Sequence, residues 1–352
     1  MTETTNNRTQ VVVVKHEDKF TALERVLTQT GFWDRLEQKW QGSGKSKQEF
    51  LIVIKPNISM GHSRKDLSPI TDKELVERLV DDIAERGFSN IAVVDAQNVY
   101  GNWYHNREVL TVARYFGYSE KNYRLVDLTE EMVSYDYGGR LGKHKVGPTW
   151  RDADFRISFA KNKTHASCFY TLTVKNTYGC LPMQNKFKEY HKKREFDWPT
   201  IESLKTLPCH FGLIDAFVSA DGLMGVKADY TPKKTETIIG GENIIAVDWV
   251  GAQKMGLDPS VSSIFRLATD AFGMPEVDWE GDKSKYKDWV NVPPLMDKIM
   301  DVGEESYIFT NWIGLISSNM DPFFRQKMTH KITRFIQRVM RAILKFISRV
   351  EG

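Results

Sequence analysis

Short apolar runs rich in β-branched residues punctuate this chain, and they constrain its fold more than any other feature. Residues 11–14, 50–54 and 91–94 are too short to be buried helices and too uniformly apolar for strands with a wet face. They read as strands covered on both sides, the pattern of a parallel sheet interior. Between them, residues 20–36 have helical spacing. Thr71 with Glu74 forms a capping box that opens a helix toward Arg86, and Gly87 ends it. Residues 107–115 look helical and residues 123–128 look like another strand. Further along, residues 155–159, 211–218 and 235–239 are strand candidates. Residues 244–255 read as a helix stopped by Gly256, and residues 277–293 as surface loop. This alternation predicts an α/β protein with a mainly parallel, doubly wound sheet and flanking helices. It fits one region over residues 1–320 or two subdomains near 1–150 and 151–320.

The chain has 352 residues, 41% hydrophobic and 27% charged, a composition that excludes general disorder. No apolar run approaches the roughly 18–20 residues needed to span a bilayer. The polar first nine residues hold no secretory h-region. Cys168, Cys180 and Cys209 are odd in number and lack metal-knuckle spacing, which favours a reducing compartment. The expected location is the cytoplasm, with peripheral attachment at the inner membrane face as an extension of that reading. Charge is unevenly placed: residues 322–349 hold eight Lys/Arg and no Asp/Glu, leaving 41 basic against 46 acidic residues elsewhere. A general nucleic-acid surface is therefore not indicated. Residues 321–352 are expected to form an amphipathic basic helix. Its apolar stripe is Phe324, Met328, Ile332, Phe335, Ile336, Val339, Ile343 and Ile347. Such a helix packs on its own domain or a dimer partner, lies on an anionic membrane, or binds an acidic protein.

Three strands lead into polar residues suited to a crevice at the carboxyl edge of the sheet. These are Lys55-Pro56-Asn57, then Asp95, then Lys161-Asn162-Lys163-Thr164-His165, the last read as a functional loop entering a helix. Lys161, Lys163 and His165 alternate, so an extended backbone puts all three on one side. Gathering two ammoniums and an imidazole costs free energy unless an anion, an acidic side chain or solvent offsets the repulsion. Ten residues after His165 comes Lys175, followed by Asn176, and sixteen residues after Lys175 comes His191. A histidine serves as acid/base or metal ligand near neutral pH, and a lysine as anion anchor or nucleophile. A solvated basic loop and structural histidines are the competing readings. His62, His105 and His144 fall in loops. Asp215, Asp221 and Asp248 are oxygen donors for a hard cation or, equally, helix caps and lysine partners. No Walker A, GxGxxG or GxSxG pattern occurs.

Six ordered motifs carry a family resemblance. They are Lys55-Pro56-Asn57, Lys161-x-Lys163-Thr164-His165, Lys175-Asn176-x-x-Gly179, Leu213-Ile214-Asp215-Ala216, Ala246-Val247-Asp248 and Gly256-Leu257-Asp258-Pro259. In this order they resemble the DUF362 family over residues 10–275, and the resemblance implies a fold more than a function. Many members carry an appended ferredoxin-like segment with clustered cysteines; this chain has none, so no iron–sulfur cluster is expected. The His165, Lys175, His191 spacing is also similar, more distantly, to that of the nickel-pincer lactate racemases. That likeness implies an acid/base role for His165, a cofactor anchor at Lys175 and a metal ligand at His191. Leu172-Thr173-Val174 stands where those enzymes have Gly-Gly-Arg, and Asn176 follows the lysine.

The expectation is an enzyme acting on a small carboxylate or phosphate. His165, Lys175 and His191 are its candidate catalytic residues. Lys55, Asn57, Asp95, Lys161, Lys163, Thr164 and Asn176 are its candidate substrate contacts. A divalent metal on His191, Asp215 and Asp248 is the candidate cofactor. The competing expectation is a non-catalytic anion- or cofactor-binding protein. Residues 322–350 would dock it to a membrane surface or partner complex, and a homo-oligomer is compatible with either.

Overall fold

The computed structural model describes residues 8–192, 197–222, 232–293, 295, 320–327, 335, 336, 338, 339 and 342, the side chains of 187, 191 and 192 excepted. The chain opens with β1 (Arg8–Lys15), α1 (Lys19–Gln29), α2 (Phe32–Gln41), β2 (Ile52–Pro56), α3 (Lys73–Glu85) and β3 (Ile91–Asp95). It continues with α4 (Val109–Tyr115), β4 (Arg124–Asp127), the hairpin β5 (Val133–Asp136) and β6 (Lys143–Val146), and α5 (Pro148–Arg151). Then come β7 (Phe155–His165), β8 (Phe169–Thr171), α6 (Thr173–Thr177), α7 (Trp198–Thr206) and β9 (Phe211–Ala220). The last elements are β10 (Lys233–Gly241), α8 (Ile244–Lys254), α9 (Ser263–Phe272) and β11 (Glu276–Gly281).

The fold is α/β, with a large, mostly parallel sheet flanked by helices on both faces. Its strand order is β11-β1-β10-β9-β7-β2-β3-β4, with β8 paired to β7. The ladders β3·β4, β2·β3, β2·β7, β7·β9 and β1·β11 are parallel. β10 is antiparallel to both β9 and β1, so it alone runs against the other strands of that path. Alternation explains the layers. Val12 and Val14 enter one core with α1–α4, whereas Val11 and Val13 enter the opposite core with α6–α9. In α3, Leu75, Val76, Leu79, Val80 and Ile83 form one buried stripe on the first face. Val53, Ala92 and Val94 point the other way, toward Trp150 and Cys180.

Several elements differ from the sequence reading, each for a local reason. Residues 20–36 are two helices, because Gly31 takes φ +65° and turns the chain between them. Asp72, not Thr71, caps α3 by accepting from Glu74 N–H. Thr71 is instead buried, its hydroxyl accepting from Asn57 N–H and donating to the Phe159 carbonyl. The presumed surface loop after residue 276 begins with edge strand β11, a polar strand whose alternation is weak because one side faces solvent. The segment Lys161 to His165 is not a loop: it is the second half of β7, an 11-residue strand.

Most of the predicted C-terminal helix lies outside the described residues. Residues 335, 336, 338, 339 and 342 are helical. Residues 321–327 are not, and Phe324 is buried against Tyr115 and Arg107 instead of belonging to an exposed stripe. Backbone bonds from His105 N–H to the Arg325 carbonyl and from Lys327 N–H to the Trp103 carbonyl hold this segment on the domain. Among the described residues, no helix is long and apolar enough to cross a membrane.

Candidate functional site

The parallel strands β2, β3, β7 and β9 end at one edge, and there the sheet interior becomes charged. Lys55 at the end of β2 is 2% exposed, and its Nζ lies 3.1 Å from Asp95 Oδ1 at the end of β3. It also donates to the Pro56 carbonyl at 2.6 Å and to Asn176 Oδ1 at 3.2 Å. Asp95 is saturated: Oδ2 accepts from Ile58 and Ser59 N–H, and Oδ1 from Ala96 N–H. One ion pair thereby sets the path of the chain leaving β2. Asn176 completes it, donating to the Lys55 carbonyl at 2.7 Å and to Ser158 Oγ at 3.1 Å. Gly179 lies so close that a Cβ there would come within 2.6 Å of Lys55 Nζ and 2.8 Å of Asp95 Oδ1. The Lys-Asn-x-x-Gly spacing thus brings an amide acceptor and a bare backbone to one buried pair.

A second pair stands beside it. Lys161 Nζ donates to Asp215 Oδ2 at 2.8 Å, with both side chains essentially inaccessible. Asp215 also accepts from Asp72 N–H at the start of α3 and from Phe217 N–H. Beyond Lys161 the register of β7 against β9 shifts, with Lys161 opposite Asp215 but Lys163 opposite Ala220. Two consecutive odd-numbered lysines therefore share a face without sharing a carboxylate. Lys163, 2% exposed, donates to the Pro69 carbonyl at 2.8 Å and to Asn57 Oδ1 at 3.3 Å, neutral acceptors both. Burial, then the ammoniums of Lys55 and Lys175, pushes its pKa down to about 7. Thr164 points to the opposite side and donates to the Gly222 carbonyl at 2.5 Å.

His165 follows on the Lys163 face at the end of β7. Its Nδ1 accepts from Ser167 N–H at 3.3 Å, which leaves the proton of the neutral ring on Nε2. Burial and the Lys175 and Lys163 ammoniums hold it well below the usual histidine range, so it is neutral at pH 7. Lys175, 8% exposed, lies 4.0 Å from the centroid of the Tyr178 ring. It also acts electrostatically on Asp197. His191 falls within the single π-helical turn Phe187–Lys192.

The structure does not bring Asp215 and Asp248 together, although both were candidate metal ligands. Asp215 faces α3 on one side of the sheet. Asp248, on α8 across the sheet, accepts from Thr173 N–H at 2.6 Å, Val174 N–H at 3.0 Å and the Thr173 hydroxyl. It anchors the start of α6, and burial raises its pKa to about 7. Asp221 lies 3.5 Å from Lys233 Nζ. Among the described residues, no three His, Cys, Asp or Glu side chains converge as a metal donor set. The three cysteines are free thiols.

One group at this edge, Lys186, escaped sequence reasoning. Lys186, 5% exposed, donates to the Leu181 carbonyl and lies 5.7 Å from the Tyr178 centroid. Burial is the main cause that lowers its pKa to about 7. No spacing distinguishes it from the exposed Lys188 nearby. Asn162 is buried between Lys161 and Lys163; it donates to Ser219 Oγ at 2.8 Å, while among the described residues its Oδ1 has no hydrogen-bond partner. Of the loop histidines, His62 is fully buried 3.8 Å from Asp66, with a pKa lowered to about 4 chiefly by burial. His144 lies 3.2 Å from Glu189, and His105 bonds through its backbone to residue 325.

A family model described as "Domain of unknown function (DUF362)" matches residues 52–253, more than half the chain and nearly all of this edge. The chain belongs to the DUF362 family. Over 113 residues this DUF362 protein is 26% identical to a thylakoid-associated protein of Synechocystis sp., a match covering 31% of this chain and 35% of that one. It is also similar to the lactate racemase apoprotein from Thermoanaerobacterium thermosaccharolyticum. That match has 13% identity and a TM-score of 0.44, covering 71% of this chain and 58% of the racemase. The chain thus spans about a third of the curated relative and under two thirds of the racemase.

The buried amine of Lys163 has a consequence for stability. With a folded-state pKa near 7 against an ordinary 10.5, the unfolded chain holds a proton between those values that the folded chain lacks. Raising pH through that window stabilises the fold, and below about pH 7 the penalty is fully expressed. Chemical denaturation of Lys163→Met against wild type is expected to show the variant gaining on the order of a few kcal/mol at pH 6 relative to pH 10. A difference independent of pH would mean that Lys163 is an ordinary ammonium.

Proposed function

We propose that this DUF362 protein is an enzyme acting on a small carboxylate or phosphate at the carboxyl edge of its sheet. The observation that carries the reading is the pair of deeply buried lysines, Lys163 and Lys186, which among the described residues are hydrogen-bonded only to neutral acceptors. A buried ammonium without a counter-charge is costly, and an anionic ligand supplies the missing charge. Lys163, Lys175 and Lys186 are assigned to the anion, with Asn57 and Asn176 holding the framework around it. Lys55 and Lys161 are already occupied by Asp95 and Asp215 and act as positioning groups. His165 is the proton carrier: its neutral ring takes up the carbon-bound proton at Nε2 in the tautomer that holds its own proton on Nδ1, which gives up the 3.3 Å bond from Ser167 N–H. Preplaced cations of this kind stabilise the negative charge that develops when a proton leaves a carbon next to a carboxylate. No step is assigned to a metal.

Two measurements test this. Titration calorimetry with lactate, malonate and inorganic phosphate is expected to find a ligand whose affinity falls at least ~10-fold in Lys175→Ala. With that ligand in deuterated water, wild-type protein is expected to exchange a carbon-bound proton and His165→Ala is not. Unchanged binding and exchange in both variants would refute the assignment. Binding without exchange in wild type would instead favour a carrier.

Attachment to a membrane is the second part of the proposal. Phe335 and Val339 are 67% and 41% exposed at helical spacing within a segment rich in Lys and Arg. A relative named for thylakoid association is in keeping with it. The full chain is expected to cosediment with vesicles containing anionic lipid and to be released by raised salt. Removal of residues 328–352 is expected to abolish cosedimentation, and retention by the shortened chain would refute the assignment.

A further inference from the structure

Lys163 and Lys186 are held by different parts of the chain. Lys163 is held by Asn57 and Pro69, in the loop between β2 and α3. Lys186 is held by the Leu181 carbonyl, just after buried Cys180, and shares the Tyr178 ring with Lys175. Both feel the charges of Lys55 and Asp95. That ion pair is internally satisfied, with Asp95 also accepting three backbone N–H groups, so it offers neither lysine a spare carboxylate. Among the described residues, neither Lys163 nor Lys186 has an Asp or Glu within ion-pair distance. A ligand with one negative group at either lysine leaves the other buried among carbonyl dipoles alone.

We propose that the site takes a ligand with two separated anionic groups, one held by Lys163 and Asn57, the other by Lys186 beside Tyr178. Small dicarboxylates and phosphorylated carboxylates have this chemistry. The inference rests on the anion-site reading above and adds to it the class of ligand and the division of Lys163 and Lys186 between two anionic groups. Tyr178 and Gly179 give the second position its shape: the ring lies against two amines, and the glycine lets the backbone approach the Lys55–Asp95 pair without a side chain in the way.

The test is calorimetry of the full chain with acetate, malonate, succinate and glutarate. At least one dicarboxylate is expected to bind ~30-fold or more tighter than acetate, as a second buried charge contact predicts. Lys186→Met is expected to bring that ratio within ~3-fold, because the dicarboxylate loses far more affinity than acetate does. Lys186→Gln, which keeps a donor for the Leu181 carbonyl, is the second variant and is expected to behave alike. Equal binding of acetate and every dicarboxylate by wild type would overturn the inference but leave a single-anion site standing. So would an equal loss of both affinities in a variant that melts like wild type. Failure of wild type to bind any of these anions would overturn the anion-site reading itself.

Discussion

The Lys55–Asp95 ion pair is the interaction on which the rest of the site depends. It joins the ends of two adjacent parallel strands at a place where neither charge reaches water. Breaking such a pair by removing one partner typically costs about 3–5 kcal/mol, because the survivor is left buried and uncompensated. Here the consequences are also geometric. Asp95 fixes the turn out of β2 through two backbone N–H groups, and Asn176 and Gly179 fit α6 and the turn after it against the pair. With these two charges satisfied, additional buried amines bring uncompensated positive charge. Lys163 and Lys186 are those amines, and the electrostatic account of the site follows from them.

Much of this was legible in the sequence because the central strands are so uniformly apolar. Residues 52–54 and 91–94 have one plausible environment, and their lengths fix where the polar residues after them emerge. Lys55, Asp95 and Lys161 were therefore placed at one edge by periodicity alone. Alternation also put Lys161, Lys163 and His165 on a common side, although the segment is strand and not loop. What periodicity does not give is the partner. Nothing in the spacing says that Asp215 belongs to Lys161 while Asp248 lies across the sheet holding the start of α6. Nor does spacing reveal Lys186, whose burial arises only when the turn after α6 folds back toward the Lys55–Asp95 pair. The reversed direction of β10 was equally hidden, since a buried strand reads the same in either direction.

The segment just after residue 320 connects the site to the far end of the chain. Residues 320–327 are pinned to the loop after β3, and Arg107 holds the carbonyls of Ser59 and Gly61 while lying against Phe324. Ser59 N–H in turn donates to Asp95. A continuous set of contacts thus runs from the approach to the C-terminal basic segment to the central ion pair. Attachment of that segment at a surface would place the carboxyl edge in a defined orientation relative to it.

The central claim is that two buried lysines are kept near neutrality for want of a counter-charge that a ligand provides. Carbon NMR of proteins labelled at the lysine side chains, titrated from pH 5 to 11, measures this directly, with Lys163→Met and Lys186→Met giving the assignments. The account predicts two lysine signals with midpoints near 7, both moving upward when malonate is added. Lysines that all titrate near the ordinary 10.5, with no response to the anion, would contradict it.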